Sequence, residues 1–422
     1  MANVYYDGQN GAGTKVPAAI WVGVWLLALS CIIAYVDRVN LSFAVIDGVF
    51  KRFFQISDTE RGLVNSAFFW TYAALQIPAG WLVDRYGAKY PLAISFAVWS
   101  SLTALTAFTT GFAMLFAVRL MLGVGEAMMH PASMRWIRYH IHEKRRGIAI
   151  GIYMSGSKFG PAVGATLSAL LIQSYGWRAM FLILGVAGIV WLLPWVLFAK
   201  NDGGTIAPVT GSESVPDMPM SRLLASPILL GVIVATFAYM YFVYFCMTWM
   251  PAYLQEARGL SLGASGVYTT FSFAGMAVMS IIGGLLADRI IERGADAIFV
   301  RKAFTIAGFL LASTEVISPL VQSLNLALVI SIFSLSGLGL ATANYWALTQ
   351  TLIPGNKTGR IVGIQNCAAS VAGIVAPIIT GWLVERTGGY AAAMEAVLFF
   401  LACGVLAYVF LVKPAPKALA AR

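Results

Sequence analysis

Five charged side chains lie well inside the long apolar stretches of the first half of the sequence. They are Asp37, Arg38, Arg119, Glu126 and Lys158. Ionisable groups inside a bilayer are costly, and they usually face a cavity or a partner. Two acids among three cations leave one excess positive charge when both acids are ionised, and three when both are protonated. A cavity of this kind favours an anion as its ligand.

The same charges indicate how protons could be coupled to that anion. Protonating Asp37 and Glu126 would strengthen the attraction of the cavity for a carboxylate, and a bound carboxylate would make both acids hold their protons more tightly. This reciprocal linkage predicts symport of an anion with protons. In the alternative, Asp37 with Arg38 or Arg119 and Glu126 with Lys158 form static ion pairs that only set helix register. The unmatched cation favours the functional interpretation.

Spacing along the chain predicts how these residues meet. Arg119, Glu126 and His130 are seven and four residues apart, so they share one face of a helix. Arg119 is seven residues, about 10 Å, from the outer end of its apolar stretch, and Arg38 is at a similar depth. Glu126 and Lys158 are both near mid-depth and are expected to meet. His130 is expected to make a capping or gating contact.

The apolar stretches that must position these residues dominate the chain. Of its 422 residues 59% are apolar and 11% are charged, too few charges to cover a soluble surface. A membrane-spanning helix needs about 20 mostly apolar residues. We therefore predict an all-α integral membrane protein with twelve transmembrane helices. The predicted spans are 18–46, 61–83, 90–110, 112–136, 147–172, 178–199, 223–250, 264–287, 300–320, 323–350, 360–384 and 389–412.

The distribution of basic residues predicts the orientation. With alternate loops and both tails inside, nineteen Lys and Arg are cytoplasmic and six are outside, so both termini are predicted in the cytoplasm of a multi-pass inner (plasma) membrane protein. The first fifteen residues are polar and do not resemble a cleavable signal peptide. The net charge of +10 is explained by this topology and by attraction to anionic lipid, not by nucleic acid.

The reactive residue types argue against an enzyme. The four cysteines all lie in predicted helices, at spacings that fit no zinc or disulfide framework. Three histidines, at 130, 140 and 142, provide no metal cluster and no nucleophile–base set. No cofactor or metal is expected, apart from a coupling ion, H⁺.

The chain is predicted to divide into two pseudo-symmetric six-helix bundles. A Gly-, Pro- and Ser-rich stretch at 200–222 is a predicted cytoplasmic linker between bundles at 18–199 and 223–413, with tails at 1–17 and 414–422. The halves also repeat a motif, since Asp84-Arg85 and Asp288-Arg289 each follow a glycine by four residues, 204 residues apart.

The run Gly80-x-x-x-Asp84-Arg85-x-Gly87-x-Lys89 resembles the signature loop of the major facilitator superfamily, which implies the major facilitator fold. An acid and basic residues at a helix end can form hydrogen bonds that hold in one state and break in another. Such a conformational latch is predicted for the following residues: Gly80, Asp84, Arg85, Lys89, Asp288 and Arg289. Topological anchoring alone would not require the two acids.

A row of glycines in the fifth span keeps exchange open as a transport mode. Gly147, Gly156, Gly160-Pro161 and Gly164 resemble the superfamily's antiporter-associated motif, except that Ala165 replaces its last glycine. Packing alone could also produce this pattern.

Several runs resemble one subgroup, the anion:cation symporters, which include sugar-acid permeases and vesicular glutamate and sialic acid carriers. The runs are Tyr35-Val-Asp37-Arg38-x-Asn40, Gln76-Ile-Pro-x-Gly80, Arg119-x6-Glu126-Ala, Trp249-x-Pro251-x-Tyr253-Leu, Trp346 and Asn366. The resemblance implies that Asp37 and Glu126 are proton-linked, and that Arg38 and Arg119 bind or gate for the anion. It also implies substrate contacts from Tyr35, Tyr72, Trp346 and Asn366.

Two positions depart from that subgroup, and one of them is Thr349-Gln350, where Ser-Asp is common. Ser157 followed by Lys158 stands where the galactonate-type pattern has a Gln, so both are candidate substrate contacts of a different kind. Lys158 could hold a second carboxylate, or could replace a coupling proton and favour exchange. We therefore predict a monomeric, lipid-embedded, proton-coupled symporter of a small organic anion, such as a sugar acid, dicarboxylate or aromatic acid. The alternatives are an anion exchanger and a proton-coupled drug antiporter.

Overall fold

The computed structural model describes residues 17–201, 226–352 and 358–412, and these residues form helices joined by short turns. The predicted tails and most of the predicted linker lie outside them. In chain order the helices are α1 (Ala18–Ala44), α2 (Gly48–Phe54), α3 (Asp58–Tyr86), α4 (Lys89–Thr106), α5 (Phe112–Glu126), α6 (Met129–His140), α7 (Glu143–Phe198), α8 (Pro227–Thr248), α9 (Leu262–Glu292), α10 (Ala297–Ala312), α11 (Leu324–Leu352), α12 (Thr358–Thr387) and α13 (Ala391–Phe410).

These helices are consistent with the twelve predicted crossings. Nine described stretches are long and apolar enough to span a membrane. One of them lies within α7, where Gly176 has a φ of 82° and turns the chain back, so α7 supplies two crossings. Gly176 tolerates this φ because it lacks a Cβ. The less apolar α3 and α4, of 29 and 18 residues, complete the set.

Three local features were not predicted. A short extra helix, α2, follows the first span and is capped by Asp47, which accepts from the Phe50 amide. The fourth span is divided into α5 and α6, directly after Glu126. The ninth span ends in a 3₁₀ turn, Ser313–Leu320. Each feature lies beside a charged residue that is described below.

Close contact with α1 explains the glycine row of α7. A side-chain carbon added at Gly156 would lie 2.6 Å from Cys31 Cβ, and one added at Gly160 would lie 2.4 Å from Tyr35 Cβ. Small residues allow helices in a bilayer to approach this closely. These two glycines are therefore needed for packing of α1 against α7, and the row does not by itself indicate exchange.

The two bundles are joined at the face that holds α2 and the turn after α8, which is the predicted outer face. Between α3 and α12, a carbon added at Gly62 would lie 2.4 Å from the Pro377 carbonyl oxygen. Between α7 and α9, the hydroxyls of Thr166 and Thr270 are 2.8 Å apart. The outer face is closed by these contacts.

Candidate transport site

The central feature is an ion pair between α1 and the end of α5. Arg38 Nε donates to Glu126 Oε1 over 3.0 Å, and Arg38 Nη2 contacts the same oxygen. The two side chains are 4% and 0% exposed. The expected meeting of Glu126 with Lys158 is therefore wrong, because Glu126 is paired with Arg38. Removing one partner of such a pair would leave an unpaired buried charge.

Aromatic rings enclose the Arg38 guanidinium. Its central carbon is 4.5 Å from the ring centroid of Tyr35 and 4.8 Å from those of Phe68 and Tyr72. Ring faces attract a cation and exclude water from it. Tyr35 and Tyr72, implied by the family resemblance, are thus placed at the site. Phe68 was not among the predicted site residues.

Arg119 of α5 forms a second polar group with Asp37 and Asn40 of α1. Arg119 Nη2 is 3.3 Å from Asn40 Oδ1, and its Nη1 is 3.4 Å from the Asp37 carbonyl oxygen. Asn40 Nδ2 donates to Asp37 Oδ1 over 3.1 Å. Within the described part of the chain, no side-chain ion pair is formed by Asp37 or Arg119. Asn40 therefore connects the acid and the cation.

A small cavity lies between these two groups. It is lined by Arg38 and Arg119 from one bundle and by Tyr244, Met247 and Thr248 of α8 from the other, and its volume is about 20 Å³ for the centre of a water molecule. Such a volume holds about one water. A bound organic anion would therefore require the bundles to move apart.

Lys158 reaches from α7 to the other bundle. Its Nζ is 3.5 Å from the Tyr239 hydroxyl oxygen, which lies 2.7 Å from the Thr342 hydroxyl oxygen on α11. No carboxylate of the described residues forms an ion pair with Lys158. Lys158 is therefore the cation without an acidic partner among the described residues, and it contacts a neutral hydroxyl at the interface between the bundles.

The other predicted contacts are less central. Ser157 is buried and its hydroxyl donates to the Met154 carbonyl oxygen over 2.8 Å. Trp346 is half-buried beside Tyr345, and Asn366 is exposed. His130 Nδ1 is 2.5 Å from the Tyr153 hydroxyl oxygen, a contact within the N-terminal bundle.

The acids of the predicted latch pair within their own bundles. Asp84 accepts from Arg135 on α6 and Asp288 accepts from Arg301 on α10, each over 3.1 Å. The neighbouring Arg85 and Arg289 are exposed, Lys89 is half-buried, and Gly80 has open space around it. Release of these pairs in another state stays a prediction.

A charged cluster that the sequence did not predict joins the bundles at the outer face. Glu256 lies in the segment that follows α8. It accepts from Arg61 of α3 over 3.2 Å and from the Tyr390 hydroxyl over 2.5 Å, and it also pairs with Lys51 of α2. We call Lys51, Arg61 and Glu256 the outer gate. Arg61 and Glu256 are 195 residues apart, so local spacing provided no signal for them.

The outer gate should persist over the physiological pH range. Partial burial alone would raise the pKa of Glu256, but the effects of Arg61, Lys51 and Tyr390 outweigh it and hold this pKa below its ordinary value of 4.5. The ion pairs are therefore present above that pH and are lost only as pH falls through the lowered pKa.

Glu256→Gln should open the outer gate more often. Asn65 lines the small cavity beneath the gate, so Asn65→Cys reports opening through its labelling by a membrane-impermeant maleimide in intact cells. Cys367→Ser and Cys403→Ser remove the two cysteines that are not buried. We expect labelling to be about fivefold faster than with Glu256 in place, since partly exposed ion pairs contribute at most about 1 kcal/mol each.

The control is Glu395→Gln, which replaces an exposed acid on α13. Equal rates in both variants would contradict a gating role for Glu256.

Helices consistent with twelve crossings, and a charged site between bundles that are closed together at one face, define a membrane transporter built from two helical halves. The chain belongs to the Major Facilitator Superfamily, whose family model matches residues 27–377.

Similar proteins share this length and fold. The chain is 30% identical to the "Probable galactarate/D-glucarate transporter GudP" of Bacillus subtilis, over 96% of this chain and 94% of that one. It is 31% identical to the "Probable sulfoacetate transporter SauU" of Cupriavidus necator, over 92% of each chain. A solved bacterial homologue of the human lysosomal transporter Spinster, in an inward-facing and occupied conformation, aligns with a TM-score of 0.78 at 18% identity, covering 96% of this chain and 100% of that one.

Proposed function

We propose that the protein carries a small organic anion across the inner membrane by proton-coupled symport with alternating access. The observation that carries the proposal is the buried Arg38–Glu126 pair. A substrate carboxylate that binds Arg38 displaces Glu126, and the freed acid, buried without a cation, takes up a proton. Anion and proton then bind together, and both leave when the pair re-forms.

Asp37 is the second acid of the proposed site. It lies one residue before Arg38 and is connected to Arg119 through Asn40. Protonation of Asp37 would leave Arg119 without a nearby acid, which raises the positive charge that faces the anion. We assign Asp37 to proton coupling and Arg119 to attraction of the anion into the site.

The names of the similar transporters support an organic acid anion as substrate. Galactarate, glucarate and sulfoacetate each carry two acidic groups, and a further relative, the D-galactonate transporter of Escherichia coli O6:H1, is 29% identical. The proposal places both termini in the cytoplasm, on the basis of the Lys and Arg distribution, and treats the lipid-embedded monomer as the working unit.

A thermal-shift screen of the purified protein against monocarboxylates, dicarboxylates, sugar acids, sulfonates and aromatic acids would identify the ligand. Uptake of that ligand into proteoliposomes under an inward proton gradient then tests symport. Accumulation driven by the proton gradient supports the proposal. Uptake that depends only on a counter-substrate inside would replace symport with exchange, and no binding of any acid would contradict the anion assignment.

Lys158 should determine whether a second acidic group is recognised. Lys158 belongs to the same bundle as the Arg38–Glu126 pair and reaches Tyr239 of α8 in the opposite bundle. From this position it can hold the far end of a dianion. We expect Lys158→Gln to weaken binding of a dicarboxylate about tenfold or more, the contribution of a charge-assisted hydrogen bond, and to change binding of the matching monocarboxylate little. Affinities measured by calorimetry would check this. Tyr239→Phe is the control, because it removes the neighbouring hydroxyl and keeps the cation. Equal losses for both acids in Lys158→Gln would contradict the assignment.

A further inference from the structure

A second fully buried acid lies in the C-terminal bundle, outside the Arg38 site. Glu315 is in the 3₁₀ turn after α10 and is 0% exposed. Ser331 Oγ is 2.9 Å from Glu315 Oε1, and Ser334 Oγ contacts Glu315 Oε2. Among the described residues, no Lys or Arg forms an ion pair with Glu315. An unpaired carboxylate is costly at such a position.

Counting protons shows which form of the acid fits these contacts. Ser334 Oγ is also 3.1 Å from the Ser331 carbonyl oxygen, and one hydroxyl has only one proton to donate. An ionised Glu315 would need that proton, leaving the carbonyl contact without a donor. A protonated Glu315 donates to Ser334 Oγ, and Ser334 then donates to the carbonyl oxygen. Only the protonated acid satisfies both contacts of Ser334 together.

A chain of hydrogen bonds leads from this acid to the outer face. Ser331 Oγ is 3.3 Å from Ser318 Oγ, and Ser318 Oγ is 2.7 Å from the Tyr253 hydroxyl oxygen. Arg258 Nε donates to that hydroxyl over 2.7 Å. Tyr253 begins the π-helical turn Tyr253–Ala257, a geometry often found at functional sites.

The end of this chain is the outer gate. Glu256 belongs to the π-helical turn and pairs there with Lys51 and Arg61. Arg258 also donates to the carbonyl oxygens of Ser318 and Val321. The position of the turn that presents Glu256 therefore depends on the residues that surround Glu315.

We propose that Glu315 is a proton-binding site of the C-terminal bundle that controls the outer gate through Ser318 and Tyr253. With its proton bound, Glu315 leaves Arg258 engaged with Tyr253 and with the two carbonyl oxygens, and the gate is closed. When the proton leaves, the buried carboxylate attracts Arg258, the nearest cation. The contact that fixes Tyr253 is then lost, and Glu256 moves with the turn.

The neighbouring ionisable groups do not account for this pH response. Cys246 of α8 and Tyr253 of the π-helical turn lie near Glu315. Cysteine and tyrosine ordinarily titrate above about pH 8. Glu395 belongs to α13, a helix that also packs on the 3₁₀ turn, and its side chain is exposed. Glu256 keeps its charge because its pKa is lowered. A response between about pH 5.5 and 7.5 therefore reports Glu315 or the acids of the Arg38 site.

The Asn65→Cys reporter tests the proposal in intact cells with the external pH varied. Because only the thiolate reacts with the maleimide, each labelling rate is divided by that of free glutathione with the same reagent at the same pH. In the otherwise unchanged reporter protein, this normalised rate should be about fivefold higher at about pH 7.5 than at about pH 5.5, the factor that one net hydrogen bond supplies. Glu315→Gln, which fixes the neutral form, should label slowly at both pH values. Tyr253→Phe interrupts the chain without touching the acid and should label quickly at both. Glu126→Gln and Glu395→Gln should keep the pH response.

Two results would overturn the proposal. One is a Glu315→Gln profile that matches the otherwise unchanged reporter, which would assign the response to another group. The other is a response that follows sodium instead of pH when choline replaces sodium outside. If Glu315→Gln expresses poorly, Tyr253→Phe decides alone, because an unchanged pH response in that variant excludes the chain as the link to the gate.

Discussion

Glu126→Gln is expected to abolish proton-driven accumulation of the substrate and to leave exchange of substrate across the membrane intact. The glutamine imitates the protonated acid, so Arg38 is free for the anion in every cycle, but position 126 no longer gains or loses a proton. Asp37, which has no ion pair among the described residues for the anion to break, does not replace this coupling. Each proton coupled to an anion permits about tenfold accumulation per pH unit of gradient. We expect this ratio to fall to about one in proteoliposomes, while counterflow of labelled substrate continues.

Glu395→Gln is the matched control, because it also replaces one glutamate by glutamine in a membrane-embedded helix but at an exposed position. It should accumulate substrate as the unmodified protein does. Uphill uptake that survives in Glu126→Gln would reject Glu126 as a coupling acid. Loss of counterflow as well would show that the variant is inactive for another reason, which unfolding measurements can separate.

Much of the fold could be predicted from composition, because the bilayer requires long apolar stretches whatever their partners. The turn at Gly176 fell within the predicted gap between the fifth and sixth spans for this reason. The break at 127–128 was missed although it has a local signal: Pro131 lacks the N–H that would bond the Ala127 carbonyl oxygen four residues earlier, and its ring crowds that carbonyl.

The sequence indicated which charged residues lie together between α1 and α5, but not how they pair. Counting along a helix gives the depth of a side chain, and Glu126 and Lys158 do share a depth by that count. Depth does not fix the direction in which each helix faces. Close packing of the α7 glycines on α1 turns Lys158 toward Tyr239 of the other bundle, and Arg38 takes its place beside Glu126.

Glu315 was missed even though a signal was present. It is an acid within the predicted span 300–320, and the rule that drew attention to Asp37 and Glu126 applies to it equally. The outer gate is different, because Lys51, Arg61 and Glu256 lie in or beside predicted loops, where charges are ordinary. Only the folded chain brings them together.

The two buried acids offer a division of labour between the bundles. In the proposed cycle Glu126 of the N-terminal bundle exchanges Arg38 for a proton when the anion binds, whereas Glu315 of the C-terminal bundle has hydroxyl partners and forms no ion pair with the described residues. In this scheme the first proton is linked to substrate, and the second is linked to the gate. Because they act in different bundles, their variants can be tested independently.

Arg38→Gln should have the largest effect on both binding and stability. The substitution removes the guanidinium that the anion requires and leaves Glu126 buried without its cation. Removing one partner of a buried pair costs about 3–5 kcal/mol, so the unfolding temperature in detergent should fall clearly. Binding of the acid identified by the screen should weaken about tenfold to a hundredfold, as expected for loss of a charge-assisted hydrogen bond.

A second variant separates these two effects. In Arg38→Gln combined with Glu126→Gln, no charge is left unpaired, so most of the lost stability should return, but the anion still has no guanidinium to bind. Thermal unfolding and calorimetry on the same samples distinguish the two terms. If the double variant recovers affinity along with stability, Arg38 only supports the fold, and the anion must bind at Arg119 or Lys158 instead.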